Sequence, residues 1–136
     1  MVRAICRDQL LLSRKAEKAD RNDLPHARDL LDTLNANAAR CVGMACNMIG
    51  VPKAIIAVAV GPARLLLFNP VIIAGKSPFE AEEGCLSLNG VRKCTRYNEI
   101  TVEYQDSDFV SRREKFTGWP AQIIQHECDH LNGILI

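Results

Sequence analysis

The segment that most constrains this chain is its last helix-sized stretch, PAQIIQHECDHLNG. It carries His126 and His130 four residues apart, with Glu127 directly after the first. Pro120 suits the first turn of a helix and Gly133 its end, so the pattern predicts a helix over 120–132. Residues four apart lie one above the other, so both imidazoles project from one face and can converge on one cation. Glu127 is turned by about 100° from His126 and can reach a water beside that cation without being a ligand. Two neutral nitrogens holding a metal, with a carboxylate taking a proton from its water, is the chemistry of an H-E-x-x-H helix. Ile124, Cys128 and Leu131 form the opposite stripe and are expected in the core, which makes Cys128 a poor ligand. The bland alternative is that the motif is only the polar end of a last helix.

Two histidines are too few for a hydrolytic site, which normally takes three protein ligands and leaves a position for water. The third histidine, His26, reads as a solvated residue in the first turn of an earlier helix. The stretch EEGCLSLNG, residues 82–90, offers more. Gly84 allows close backbone approach to a bound group. Cys85, as a thiolate, would complete a Cys-His-His set suited to Zn²⁺ or Fe²⁺. Taken alone, a cysteine such as Cys85 is more often a buried small hydrophobe.

The rest of the chain reads as scaffold. A strand-like lead precedes a helix with Asp23 as N-cap and Pro25 in its first turn. Ala27, Leu30, Leu31, Leu34 and Ala38 fall at helical spacing on its inner face, while Arg28, Asp29, Asp32 and Asn35 face solvent. From Val51 onward the pattern changes to strands. AIIAVAV and RLLLFNPVII are separated by Gly61-Pro62, and a loop is expected at 75–78. EITVEYQDSDFVSRREKF reads as a hairpin with Ile100, Val102 and Tyr104 inward and QDSD at the turn. Helix, strands, helix in 136 residues argues one α+β domain over 1–136.

Composition narrows the function. A net charge of +1 leaves no basic excess to neutralise phosphates, and 5% aromatics supply few stacking platforms, so neither nucleic acid nor an anionic membrane is an expected partner. The six cysteines contain no C-x-x-C pair, and the N-terminus shows no signal-like apolar stretch. Thiols or a metal thiolate in a reducing cytoplasm are expected, not a disulfide framework.

EGCLS, beginning at Glu83, and HECDHLNG, beginning at His126, together resemble the peptide deformylases, which carry E-G-C-L-S and H-E-x-D-H-L in this order. CVGMACNMIG, beginning at Cys41, partly matches a third family motif, G-x-G-x-A-A-x-Q. The resemblance implies antiparallel sheets around a C-terminal metal-binding helix. It implies removal of the formyl group from the N-terminal methionine of new bacterial polypeptides. Cys85, His126 and His130 would hold one divalent metal, Fe²⁺ first, with Zn²⁺, Ni²⁺ or Co²⁺ accepted. Glu127 would be general base and then proton donor, and the backbone N–H of Leu86 an oxyanion donor. Val42 and Gly43 would pair with the extended substrate, and Ile123 would help shape a methionine pocket. Glu83 and Asp129 would support the ligands or form ordinary ion pairs. The expected setting is the bacterial cytoplasm, near the ribosome exit, as a monomer.

The chain departs from the family pattern at one chemically telling position. Met48 stands where the family glutamine donates to the formyl oxygen, and a thioether has no N–H to give. Cys41 and Cys46 replace a motif glycine and alanine and are expected to crowd the metal's surroundings. The short GILI end is expected to stay clear of the metal and to leave less docking surface. A slower deformylase follows from these changes. A non-catalytic relative that binds metal and formyl-peptides is the alternative. An ordinary H-E-x-x-H metallopeptidase lacks a downstream third ligand.

Overall fold

Ile55–Val60 is a run of small and β-branched apolar residues, and it forms strand β2 at the centre of the core. In the computed structural model, which describes residues 1–85 and 88–134, five strands form one antiparallel sheet in the order β1-β2-β3-β4-β5. The others are β1 (Gly43–Ala45), β3 (Ala63–Cys85), β4 (Leu88–Gln105) and β5 (Ser111–Thr117). Three helices accompany the sheet: α1 (Gln9–Leu12), α2 (Leu24–Ala36) and α3 (Gly118–Leu131). The sheet is an antiparallel meander and its strands precede the closing helix, the α+β arrangement expected from the sequence.

The strand β3 changes partner along its length. Residues 63–68 pair with β2, and residues from Phe68 to Cys85 pair with β4. The change is marked by register shifts between Phe68 and Val71 and between Ile72 and Ala74. Asn69 sits there with φ 53°. Its amide oxygen accepts from the Ala19 N–H at 2.8 Å, and its Nδ2 donates to the Ala19 carbonyl at 3.0 Å and to Gln105 Oε1 at 2.8 Å. One side chain thus ties the N-terminal segment to the bend.

The loop expected at 75–78 is instead part of this long β3–β4 ribbon, with Gly75 opposite Ile100 and Pro78 opposite Tyr97. Two features reconcile the turn-like composition with a strand. Past β2 the strand has β4 on one side only, so Pro78 needs no N–H for a second neighbour. Gly75 lies under the Tyr97 ring, where a Cβ would come within 2.8 Å of Cγ. The absence of a side chain there makes room for an aromatic, not for a turn.

Helix α2 buries Ala27, Leu30, Thr33 and Leu34, but it ends at Ala36, so Ala38 is exposed past its C-terminus. Asp29 is not simply solvated either, since it accepts from Arg3 Nε at 3.0 Å. Asp23 occupies the N-cap position, yet its carboxylate accepts from the Asp20 N–H at 2.9 Å, closing the preceding turn. The N-terminal lead contains α1 and no strand. The hairpin turn is built as expected around Asp106, whose Oδ1 accepts from the N–H groups of Asp108 and Val110 at 2.9 and 3.0 Å.

Helix α3 packs on β1, β2 and β4 and buries Ile124, Cys128 and Leu131. It stops where Gly133 takes φ 77°, and the Ile134 N–H returns to the Asp129 carbonyl at 2.9 Å. A Cβ on Gly133 would sit 2.3 Å from the Ser13 carbonyl oxygen, so glycine is required there twice over. Among the described residues no helix is long and apolar enough to cross a membrane.

Candidate metal centre

Strand β3 ends at Cys85 directly beside the middle of α3. The Cys85 sulfur, the His126 ring and the His130 ring each offer a ligand atom, and these atoms lie within 4.8 Å of one another. Among the described residues no other group of three His, Cys, Asp or Glu side chains converges in this way. The helical spacing inferred from sequence does the work on one side: His130 Nε2 lies 3.1 Å from His126 Nε2, so both rings present the same nitrogen to the same point. His26 is elsewhere, 3.9 Å from Asp23, and Cys128 is not in the group.

The support beneath this trio includes the expected Glu83 and Asp129 and adds Arg96 and Gln122. His126 Nδ1 meets Glu83 Oε1 at 2.6 Å, which leaves Nε2 for the centre. Glu83 in turn accepts from Arg96 Nε and Nη2, at 3.1 and 2.7 Å, and from Gln122 Nε2 at 2.8 Å. Arg96 Nη1 donates to Asp129 Oδ2 at 2.6 Å. Arg96 is only 4% exposed, and a buried guanidinium requires such partners. Glu83 and Asp129 are therefore joined to each other through Arg96. Arg96 itself had no sequence signal, being one arginine within a polar stretch of strand. Gln122 had one: it lies four residues before His126 and so on the same helical face.

The electrostatics follow from this packing. Burial alone would raise the Glu83 carboxyl, but hydrogen bonds from His126, Arg96 and Gln122 hold it well below the usual carboxylate range. Burial would lower His126, yet hydrogen bonds with Cys85 and Glu83 push it up. Burial, reinforced by the neighbouring His126, pushes His130 down to about 4. Glu127 is 4% exposed, and burial pushes it up to about 7. Its Oε1 and the Nδ1 of His130 are buried without a hydrogen-bond partner. Such atoms cost about 1–3 kcal/mol each, and these two sit on a candidate ligand and on the carboxylate beside the trio.

A cavity of about 610 Å³ opens onto the centre, lined by Cys85, His126, Glu127, Gly43, Ile123 and Met48 among others. Gly43 is where α3 meets β1: a Cβ there would lie 2.5 Å from Ile123 Cγ2 and 3.1 Å from Glu127 Oε2. Val42 is 39% exposed at the rim, at the free edge of the sheet. Met48 is 1% exposed, and its sulfur accepts from the Ala45 N–H at 3.4 Å. Cys41 lines the cavity and burial pushes its thiol up to about 11. Cys46 is buried in the core and does not line it, so only one of the two substituted cysteines crowds the site. Leu86, expected as an oxyanion donor, and Leu135 and Ile136 of the GILI end lie outside the described residues.

The donor chemistry fits a divalent cation: one soft sulfur and two imidazole nitrogens gathered within 4.8 Å of one another. A sheet-and-helix frame that offers such a trio beside a buried carboxylate belongs to the class of metal-dependent hydrolases.

The family model for polypeptide deformylase matches residues 3–136. A peptide deformylase of Clostridium beijerinckii is 48% identical over 136 residues, covering 100% of both chains. The crystal structure of peptide deformylase from Thermotoga maritima superposes with a TM-score of 0.89 at 28% identity, over 99% of this chain and 95% of that one. A Met-Ala-Ser-bound class I type b peptide deformylase from Acinetobacter baumannii does so with a TM-score of 0.89 at 27% identity, over 99% and 97%. The chain belongs to the polypeptide deformylase family.

Proposed function

We propose that this chain hydrolyses the N-formyl group from the N-terminal formylmethionine of new polypeptides, releasing formate. Cys85, His126 and His130 hold one divalent metal, and Glu127 carries the proton. The observation that carries the reading is the convergence of one thiol and two imidazoles beside a buried carboxylate with an unpartnered oxygen. Fe²⁺ is the first candidate, and the same donors accept Zn²⁺, Ni²⁺ or Co²⁺. When bound, the cation would polarise the formyl carbonyl and acidify a neighbouring water.

Glu127 takes the proton of the attacking water and returns it to the leaving amine. A carboxyl pushed up to about 7 is suited to both transfers near neutral pH. Glu83 holds His126 by Nδ1 and so fixes which nitrogen faces the centre. Arg96 fixes Glu83. The substrate backbone adds to the free edge at Val42 and Gly43; glycine at 43 also lets Ile123 and Glu127 of α3 pack against β1, since a Cβ there would collide with both. Ile123 forms part of the methionine pocket. The backbone N–H of Leu86 donates to the developing oxyanion. The family is bacterial in the relatives matched, and action in the cytoplasm near the ribosome exit, by a monomer, belongs to the same proposal.

Met48 favours a second reading, a relative that binds metal and formyl-peptides without turnover, because it supplies no donor on the wall where the formyl oxygen would lie. One assay separates the two. Anaerobically prepared, iron-loaded protein is expected to release formate from formyl-Met-Ala peptides. Binding of those peptides with no formate above background would establish the second reading instead.

A further inference from the structure

Strand β1 has β2 on one side and an open edge on the other. The reactive end of a bound peptide must lie beside Gly43, because that is where Glu127 touches β1. From there the peptide can continue along the edge in only one direction. Met44 and Ala45 are 0% exposed and close off one way, whereas Val42 is exposed and leads outward past Cys41 to Arg40. The peptide therefore runs antiparallel to β1. At about 3.3 Å per residue, its third and fourth residues pass Arg40.

Two guanidinium groups stand on this exit path. Arg40 and Arg7 both line the cavity and both are exposed. Arg7 is brought there by its neighbour Cys6, whose N–H donates to the Met48 carbonyl at 2.7 Å. Among the described residues neither arginine has a carboxylate partner; there the Arg40 side chain donates to the neutral Asn37 Oδ1 at 2.9 Å, and the Arg7 side chain makes no hydrogen bond. Arg3, Arg96, Arg112 and Arg113 are each paired with an acid. Other exposed arginines, such as Arg14, Arg28 and Arg92, also lack an acid partner among the described residues, but only Arg7 and Arg40 line the cavity. The acids of the cavity are Glu82 on the β3 wall and Glu83 and Glu127 at its base, and Glu83 is committed to Arg96 and His126.

We propose that Arg7 and Arg40 form a carboxylate-recognising rim that sets the enzyme's preference downstream of formylmethionine. The rim favours peptides with an acidic group at the third or fourth residue and disfavours basic ones there. The inference rests on the deformylase reading and on strand addition at β1.

The test compares formyl-Met-Ala-Xaa-Xaa-amide peptides with Xaa as Glu, Gln or Lys, on metal-loaded protein at low salt. The expected order in kcat/KM is Glu over Gln over Lys, with about tenfold between the extremes, carried by KM. About 0.5 M salt should compress the order, since exposed charges are screened. The Arg7→Gln/Arg40→Gln double variant should abolish it. A second arm uses the Gln peptide with a free C-terminal acid: a gain there and none for the Glu amide assigns the rim to a chain-terminal carboxylate, and a gain for the Glu amide assigns it to side chains. Equal kcat/KM for all peptides in both arms would overturn the proposal while leaving the deformylase reading intact. Should no peptide release formate, calorimetric Kd values for the same set still decide it: the same order supports the rim, and equal values reject it.

Discussion

On the wall of the cavity made by β3 and α3, the charged groups form one connected network. Asp129, Arg96, Glu83 and His126 follow one another in unbroken hydrogen bonds, with Gln122 as a side support. On the wall made by residues 41–48, Cys41 and Met48 line the cavity, and the Met48 sulfur accepts a long bond from the Ala45 N–H. The first wall holds groups that must keep one orientation around an ion. On the proposed reading the second faces the substrate, where a missing donor would slow the reaction without undoing the fold. The two motifs that match the family pattern, EGCLS and HECDHL, lie on the first wall, and the one that matches it only in part lies on the second.

The largest expected effect is on the first wall. Glu127→Gln should lower formate release by about 10²–10⁴ while leaving metal content unchanged, read by paired activity and metal analysis. A small loss would mean that another group carries the proton. Next, Arg96→Met should reduce the unfolding free energy by about 3–5 kcal/mol in urea titrations, because it strands Asp129 and part of Glu83. The matching change at the exposed pair, Arg113→Met opposite Glu103, should cost less than about 1 kcal/mol. Equal costs would erase the distinction between the network and ordinary surface ion pairs.

On the second wall the sign reverses. Met48→Gln should raise turnover on a formyl-Met peptide, by up to about 10², because the amide oxygen can take over the Ala45 N–H while its nitrogen is offered to the cavity. Unchanged turnover would show that the missing amide does not limit the reaction.

The smallest effect concerns pH. In metal-free protein the Glu127 carboxyl is raised from 4.5 to about 7 by burial, so the stability it contributes is fully present below about pH 4.5 and is lost as pH rises through 7. Glu127→Gln removes that loss. The variant should match the parent near pH 4.5 and exceed it at pH 8 by about 3 kcal/mol. A pH-independent difference would contradict the assignment of the shift to this residue.

Much of this was legible in the sequence. The two histidines at helical spacing, with proline before and glycine after, specify a helix and a shared face. The EGCLS segment supplies the thiol. What could not be read has a physical reason in each case. Gly75 and Pro78 look like a turn because composition cannot show that the strand is an edge or that Tyr97 covers the glycine. Arg96 meets its partners across β3, β4 and α3, so no local pattern announces it. Cys46 and Cys41 look alike in the motif, and only the fold sends one into the core and the other into the cavity wall. Arg7 reaches the cavity through a backbone bond between distant segments.

The central claim is that a sulfur and two imidazoles share one ion. X-ray absorption on protein loaded with a single equivalent of zinc tests it most directly. One sulfur at about 2.3 Å and two imidazole nitrogens at about 2.0 Å are expected, with the sulfur signal lost in Cys85→Ser. A sulfur signal that persists in that variant, or a shell without sulfur in the parent, would contradict it.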